Sequence, residues 1–199
     1  MYSKLPHVVY GFHGCDESVK NEILHRNSFF TPSNNSYDWL GHGIYFWEND
    51  PQRAMEFAED AMRNTKQSKG TIKKPAVIGA VIDLGYCLNL LDRYFINLVE
   101  FANEFFELSM KALDREIPVN KGKKGRFRDC AVINFLHVIN EAMDNDKFDS
   151  VRCMFQEGEP LYENSGFYKQ THIQLCIRNP NCIKAVFEPR EIDRKFPNP

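Results

Sequence analysis

The sequence predicts an α+β fold in which mostly antiparallel strands pack among helices. Short apolar or β-branched runs alternate irregularly with helical patterns, without the regular period of a doubly wound parallel sheet. Hydrophobic residues make up 43% and charged residues 26% of the 199 residues, which is enough to bury a core and keep a charged surface. Because this length is typical of one unit, we expect residues 1–199 to form a single domain.

The first half of the chain predicts two strand–helix pairs and a buried strand. Residues 7–12 are apolar and β-branched or aromatic, so they predict a strand that ends at His13-Gly14. Residues 43–47 predict a second strand, and Asp50-Pro51 predict the start of a helix. The nearly continuous apolar run at 76–83 predicts a strand that is buried on both faces.

The second half of the chain predicts two helices followed by three strands. Apolar residues recur at helical spacing over residues 91–113 and 129–143. Short apolar runs predict strands at 151–155, 171–178 and 185–187.

The segments between these elements contribute a cap, a loop and a basic cluster. Asp16 is a suitable N-cap for a helix after the first strand. The loop from Asn27 to Leu40 is polar and long enough to act as a lid over a cleft. A basic cluster lies further on, at Lys121, Lys123, Lys124, Arg126 and Arg128. It can face phosphate or simply line a solvated loop.

Composition limits the function classes. The formal net charge of -2 gives no global basic field for holding nucleic acid. No window approaches 18 uncharged apolar residues, so we expect no membrane span. The six cysteines form no C-x-x-C pair, which favours free thiols in a reducing cytosol and hence a cytoplasmic protein.

Three motifs carry residue types that are suited to chemistry. His13-Gly14 ends the first strand, where a glycine lets a ligand approach the backbone beside an imidazole. Gly41 and Gly43 flank a short aromatic strand that includes Tyr45. Gln174 lies in mid-strand, on the same face as His172, Cys176 and Arg178 by strict alternation, and a buried amide there needs a partner.

Together these motifs resemble the ADP-ribosyltransferase family, and more narrowly its poly(ADP-ribose) polymerase-like branch. That branch has a His-Gly at the end of one strand and a Gly-Lys-Gly-Ile-Tyr-Phe run about thirty residues on, and here His42 replaces the lysine. The resemblance covers residues 8–60, 76–91 and 168–187. The helical stretch from about 92 to 150 has no counterpart and is expected to be an insertion.

The resemblance implies an NAD site. It implies that His13 binds the adenosine ribose, that Gly14 binds the nicotinamide carboxamide through its backbone, and that Tyr45 stacks on the nicotinamide ring. It places Gly43 at the cofactor and implies two packed, mostly antiparallel sheets with the NAD cleft between them. Arg152, Arg178 and Lys184 are candidates for the pyrophosphate, because arginine grips phosphate in a bidentate way.

The chain departs from the family at the catalytic glutamate, which aligns with Gln174, or with Thr171 or Gln170 if the register slips. Cleavage of the nicotinamide–ribose bond passes through an oxocarbenium-like state, which a carboxylate stabilises better than an amide. In this family, loss of the glutamate is associated with transfer of a single ADP-ribose unit, and it is also compatible with lost activity. Glu48, Glu157 and Glu159 are carboxylates from elsewhere that could substitute, although each is more typical of a surface charge.

The sequence therefore predicts a mono-ADP-ribosyltransferase with His13, Tyr45 and Gln174 as its triad, acting on a protein or nucleic acid acceptor. The family also suggests a bacterial toxin or defence role. A module that binds NAD or ADP-ribose without turnover is the main competing hypothesis. Two further classes are weaker: a metal site, for which no HExxH or CxxC spacing exists, and a hydrolase built on Cys15 and His13.

Overall fold

The computed structural model describes residues 8–64, 72–122, 125–191 and 193–196, and these confirm the α+β class. The strands are β1 Val8–Asp16, β2 Ile44–Glu48, β3 Pro75–Asp83, β4 Cys87–Asn89, β5 Ser150–Phe155, β6 His172–Ile177 and β7 Ile183–Phe187. The α-helices are α1 Glu17–Leu24, α2 Pro51–Arg63, α3 Arg93–Ala112 and α4 Phe127–Ala142.

Short polar side chains fix the starts of three helices. Asp16 accepts a hydrogen bond from the backbone N–H of Ser18 at 3.0 Å, and Asp50 accepts one from Arg53 at 2.8 Å. Asp92 caps α3 in the same way. Each aspartate satisfies an N–H group that has no partner within its helix, so the predicted starts at Asp16 and Asp50 are confirmed.

The strands pair in the order β4-β5-β6-β2-β1-β3-β7. All neighbouring pairs are antiparallel except β4–β5, which confirms the mostly antiparallel prediction. The expectation of two separate sheets is wrong for the described residues, because hydrogen bonds join all seven strands into one sheet. The pairing between β1 and β2 is short, however. Strand β1 pairs with β3 at nine positions but with β2 only at Gly11↔Glu48 and Phe12↔Trp47.

The strands β1 and β2 therefore separate beyond Phe12 and Trp47, and we call this opening the split. It divides the sheet into the halves β4-β5-β6-β2 and β1-β3-β7. In place of a cleft between two sheets, the described residues show a gap within one sheet, where β1 and β2 run on beyond Phe12 and Trp47 without pairing.

Helices cover both faces of the sheet. On the face that packs against α1, here the α1 face, a core forms around Ile23, Phe46 and Ile78. On the other face, here the α2 face, Trp47 and Ala54 pack together, while α3 and α4 cover the β4-β5-β6 end. None of the helices in the described ranges is long and apolar enough to cross a membrane.

Three elements differ from the prediction. Strand β1 does not end at His13-Gly14 but continues to Asp16, because β3 pairs with it along its whole length. Strand β4 has only three residues and is absent from the prediction, since a sequence pattern this short does not stand out. Strand β7 begins at Ile183, two residues earlier than expected, directly after a short 3₁₀ turn.

Helix α2 packs so closely on β1 that Gly14 has a structural role. A Cβ at this position would lie 2.0 Å from the backbone oxygen of Ala54, which cannot move without shifting the helix. The glycine is therefore required by packing, whatever else it does.

We expect Gly14→Ala to lower the free energy of unfolding by about 1–3 kcal/mol or more, as overpacking does. Urea unfolding measures this. Gly166→Ala is the matched control, because a Cβ there meets nothing within 4 Å. Equal stability of the two variants would contradict the close packing of α2.

Candidate functional site

His13 bridges the split. Its Nδ1 lies 2.8 Å from the backbone oxygen of Tyr45, and a carbonyl only accepts, so Nδ1 carries the proton and Nε2 keeps its lone pair. The ring lies on the α1 face, with its centroid 5.3 Å from Phe30 and 5.7 Å from Phe46. Burial lowers the pKa of His13, so the imidazole is neutral at physiological pH.

The hydrogen bond from His13 to Tyr45 leaves the backbone N–H of Gly14 without the acceptor that it would have in a continuous β1–β2 ladder. Asn49 donates to the oxygen of Tyr10 at 2.9 Å, so the backbone groups of alternate β1 residues, including Gly14, point toward β2. Continuing the register would pair Gly14 with Tyr45, but pairing stops at Phe12. The Tyr45 carbonyl accepts from the His13 ring instead, and the Gly14 peptide faces the split.

The Tyr45 ring is held rigidly on the α2 face. Its hydroxyl donates to the oxygen of Gly41 at 2.7 Å and accepts from the N–H of Leu40 at 2.9 Å. The ring is partly buried against the core around α3 and α4, and burial raises the pKa of its hydroxyl. These two bonds fix the turn that precedes β2 and leave no freedom for the ring to turn.

Gln174 lies one strand away on the same face. It is partly buried on β6, opposite Trp47 of β2 and Cys153 of β5. Its side-chain amide makes no hydrogen bond to another residue that the structure describes. The alternation predicted from the sequence is confirmed, since Cys176 belongs to the core on this face while Leu175 and Ile177 belong to the core on the other.

The predicted site residues are therefore only partly brought together. Tyr45 and Gln174 share the α2 face, Gly14 lies across the split from Tyr45 alone, and the His13 ring lies on the α1 face. Gly43 is enclosed by protein: a Cβ there would lie 2.6 Å from the Cys176 sulfur and 2.7 Å from the Ile177 oxygen. The roles of these residues toward NAD stay predictions.

The arginines proposed for the pyrophosphate have partners within the protein. Arg152 binds Glu48 through two bonds of 2.6 and 2.9 Å and reaches Asn89 at 3.2 Å, on the α1 face. Arg178 donates to the oxygen of His42 at 3.0 Å. Because Glu48 neutralises Arg152 and both side chains are nearly buried, Arg152 is poorly placed to bind phosphate, and Glu48 is not a free carboxylate.

A second polar group, which the sequence does not predict, lies beside Gln174, and we call it the Arg53 cluster: Trp47, Arg53, Glu157 and His172. Arg53 lies over the Trp47 ring at 5.6 Å and donates to Glu157 at 2.7 Å. His172 is fully buried, and its Nε2 lies 3.9 Å from the same Glu157 oxygen. Glu157 is only 20% exposed, so the surface role expected for it is wrong.

The register of the β5–β6 hairpin explains how this cluster forms. Cys153 pairs with Gln174 and Phe155 with His172, and the N–H of Gln170 donates to the oxygen of Glu157 at 3.1 Å. Glu157 therefore follows Phe155 on the α2 face, where Arg53 in the first turns of α2 reaches it. The sequence signal for this cluster is weak, because the segment after β5 resembles a loop and only the pairing reveals its alternation.

Four buried nitrogen atoms in this cluster have no hydrogen-bond partner in the described residues: Trp47 Nε1, Arg53 Nε, Arg53 Nη1 and His172 Nε2. His172 Nδ1 donates to the oxygen of Gln170 at 2.7 Å, and burial lowers the pKa of His172, so its Nε2 is an acceptor. Unpartnered polar groups this close together are unusual in a protein interior, and all four atoms are buried from solvent.

The remaining candidate residues lie in places less suited to a site. Thr171 is exposed and Gln170 binds Glu56 at 3.1 Å. Glu159 is largely exposed and pairs with Lys169. Burial raises the pKa of Cys15 to about 11, which disfavours the thiolate that a hydrolase would need. No group of three metal-binding side chains exists among the described residues.

The loop and the basic cluster have defined contacts. Phe30 lies on the α1 face, whereas the Trp39 ring lies 4.6 Å from Phe155 on the α2 face, so the Asn27–Leu40 loop wraps around the start of β2. In the basic cluster, Arg126 pairs with Asp129 and Arg128 with Glu107, while Lys123 and Lys124 lie outside the described residues. Paired arginines weaken the case for a phosphate-facing patch.

Comparison with known proteins gives a relative but no function. An uncharacterized protein of Methanocaldococcus jannaschii is 26% identical over 191 residues, which cover 88% of this chain and 84% of the relative. No family model matches the chain, and no solved structure gives a significant match. The functional argument therefore depends on the geometry of the site.

Burial of neutral histidines makes stability depend on pH. The pKa of His13, His137 and His172 is lowered by burial, to about 3 for His137, against about 6.5 in the unfolded chain. Below that value the unfolded chain binds more protons than the folded one, so the free energy of unfolding falls as pH falls.

We expect urea unfolding between pH 7.5 and 5 to show this loss, with a limiting slope of about 1.4 kcal/mol per pH unit for each histidine that stays neutral. His137→Gln should reduce the slope by removing one of these groups. A free energy of unfolding that does not change over this range would contradict the burial of the neutral rings.

Proposed function

We propose that this chain is an NAD-dependent mono-ADP-ribosyltransferase, which releases nicotinamide and transfers one ADP-ribose unit to a protein or nucleic acid acceptor. The observation that carries this proposal is the Gly14 peptide, which faces the split. In a continuous β1–β2 ladder its N–H would bind the Tyr45 carbonyl, but the His13 ring binds that carbonyl instead. The nicotinamide carboxamide has an N–H₂ donor and a C=O acceptor in one plane. An unpaired strand edge offers it a backbone C=O and a backbone N–H as partners.

Two neighbours support the same assignment. The Tyr45 ring is fixed by its hydroxyl next to the split and can serve as a flat wall for the nicotinamide ring. The unbonded amide of Gln174, one strand further, can donate a hydrogen bond to a ribose hydroxyl or accept one from it. The neutral His13 keeps an Nε2 lone pair for a hydroxyl on the α1 face.

A binding module without turnover is the second candidate. The observation that favours it is Gln174 itself, because an amide carries no net charge to stabilise an oxocarbenium-like ribose. Under this candidate the chain binds NAD or ADP-ribose with the same residues and releases no nicotinamide.

Nicotinamide release and NAD binding, measured on the same preparation, separate the two candidates. We expect the wild type to bind NAD and release nicotinamide, and Tyr45→Ala to lose most of both, since the wall of the pocket is removed. NAD binding without release favours the module, and absence of both contradicts the NAD site. Mass spectrometry of candidate acceptors after incubation with NAD, with His13→Ala as the control, would identify the acceptor.

Gln174→Glu tests whether the family's glutamate position is near the reacting carbon. If it is, a carboxylate restored there should raise the rate of nicotinamide release by about 10-fold or more, because charge stabilisation in such sites is worth this much. Gln156→Glu on the same hairpin is the control, since Gln156 is exposed and alternation with Phe155 puts it on the opposite face. An unchanged or lower rate for Gln174→Glu alone would place the reacting carbon elsewhere.

A further inference from the structure

Helix α3 is apolar on two sides, and only one of them is buried. Ala102 and Phe106 lie in the core on the α2 face, with Phe95 and Val99 packed against the same core. A second set of apolar residues, which we call the α3 stripe, follows another side from just before the helix to its end: Leu91, Tyr94, Leu98, Phe101, Phe105, Leu108 and Ala112. Because the outer side of a surface helix is normally polar, the α3 stripe indicates a binding surface.

Most of the α3 stripe is open to solvent. Leu98 is partly buried against the core, and the other six members are exposed. Tyr94, Phe101 and Leu108 are 60%, 58% and 63% exposed. Taking about 200 Å² for a whole aromatic side chain, the exposed parts of the stripe amount to about 500 Å². A standard interface buries about 800 Å² on each partner, so the stripe supplies more than half of what a stable dimer needs, and a polar rim supplies the rest.

The α3 stripe has the spacing of a coiled-coil seam. Its members fall into two rows with a period of seven residues, one with Leu98 and Phe105 and the other with Phe101 and Leu108. The steps along the chain are therefore three and four residues in turn, which is the pattern by which two helices interlock their side chains. The occupant that fits this spacing is another helix with the same spacing.

None of the helices in the described ranges packs on the α3 stripe. Helix α4 contacts α3 on the opposite side, where Arg128 donates to the side-chain oxygen of Asn103 at 2.8 Å and pairs with Glu107. At about 100° per residue, Asn103 lies about 200° around the helix from Phe101. The helix that completes the seam therefore comes from outside the described elements.

The charge on α3 favours a second copy of the chain over a lipid surface. The helix carries three acidic residues, Glu100, Glu104 and Glu107, against two basic ones, Arg93 and Lys111. Helices that lie on membranes present mainly lysine and arginine beside their apolar side, which this helix does not. A second copy brings the same apolar seam, and in a two-fold pair each stripe covers the other.

We propose that the chain forms a homodimer in which the α3 stripes of two copies pack against each other. Phe101 and Phe105 lie near the middle of the stripe and contribute most of the binding energy, as buried aromatic residues do at interfaces. The inference does not depend on the proposed function, because the stripe contains none of the residues assigned to the NAD site.

Sedimentation equilibrium of the full chain measures the mass and the Kd of the dimer. We expect the wild type to have twice the mass of one chain, with a Kd in the micromolar range or below. Phe101→Glu should raise the Kd by about 30-fold or more, because it puts a charge in the middle of the seam. Phe29→Glu, the same change at an exposed loop residue outside the stripe, is the control and should match the wild type.

Glutamate favours a helix at least as well as phenylalanine, so Phe101→Glu should stay folded, which circular dichroism checks. Leu108→Glu repeats the test further along the stripe and should also weaken the dimer. A dimer that both changes leave intact uses another surface and overturns the proposal.

Two other results would also overturn the proposal. One is a wild type that is monomeric at every concentration; if this monomer binds vesicles of phosphatidylcholine and phosphatidylserine, the α3 stripe is a membrane-binding surface instead. The other is a wild type that grows beyond the dimer, because the stripe then binds a different surface of the next copy.

Discussion

The hydrogen bond from His13 Nδ1 to the Tyr45 oxygen is the constraint on which the site depends. It is formed where the β1–β2 ladder stops, so a side chain replaces a backbone donor at the point of separation. Without it the Tyr45 carbonyl would be buried without a partner or would recover the Gly14 N–H and close the split. The neutral His13 ring therefore joins the two halves of the sheet by one hydrogen bond. By occupying the Tyr45 carbonyl, it also prevents β1 and β2 from pairing further.

The same constraint explains why the core can tolerate an opening. Phe30, Phe46 and the His13 ring contact one another on the α1 face, so the split is backed by aromatic rings. On the α2 face, α2 packs directly on Gly14 and limits how far β1 can move. The gap is thus bounded by rigid groups on both faces, which suits a site that must hold a flat ring without collapsing.

The sequence predicts the elements well because their signals are local. Aspartate caps, the Pro51 helix start and apolar alternation depend on neighbouring residues alone, and they locate four helices and six of the seven strands. The single sheet and the Arg53 cluster depend on register between distant segments. Nothing near Glu157 in the sequence indicates that Arg53, about a hundred residues earlier, pairs with it, so the sequence pattern predicts a surface charge where the fold has a partly buried ion pair.

This difference bears on how the replacement of glutamate by Gln174 is understood. Considered one position at a time, the replacement suggests a lost charge and an inactive module. Considered in three dimensions, Glu157 lies on the same face of the hairpin but two rows from Gln174, where it pairs with Arg53 beside the Trp47 ring and the buried His172. Burying most of an ion pair beside nitrogens that have no hydrogen-bond partner costs stability. No carboxylate of the β5–β6 hairpin lies in the row of Gln174 or in the rows next to it on this face, so an amide alone faces the proposed ribose position.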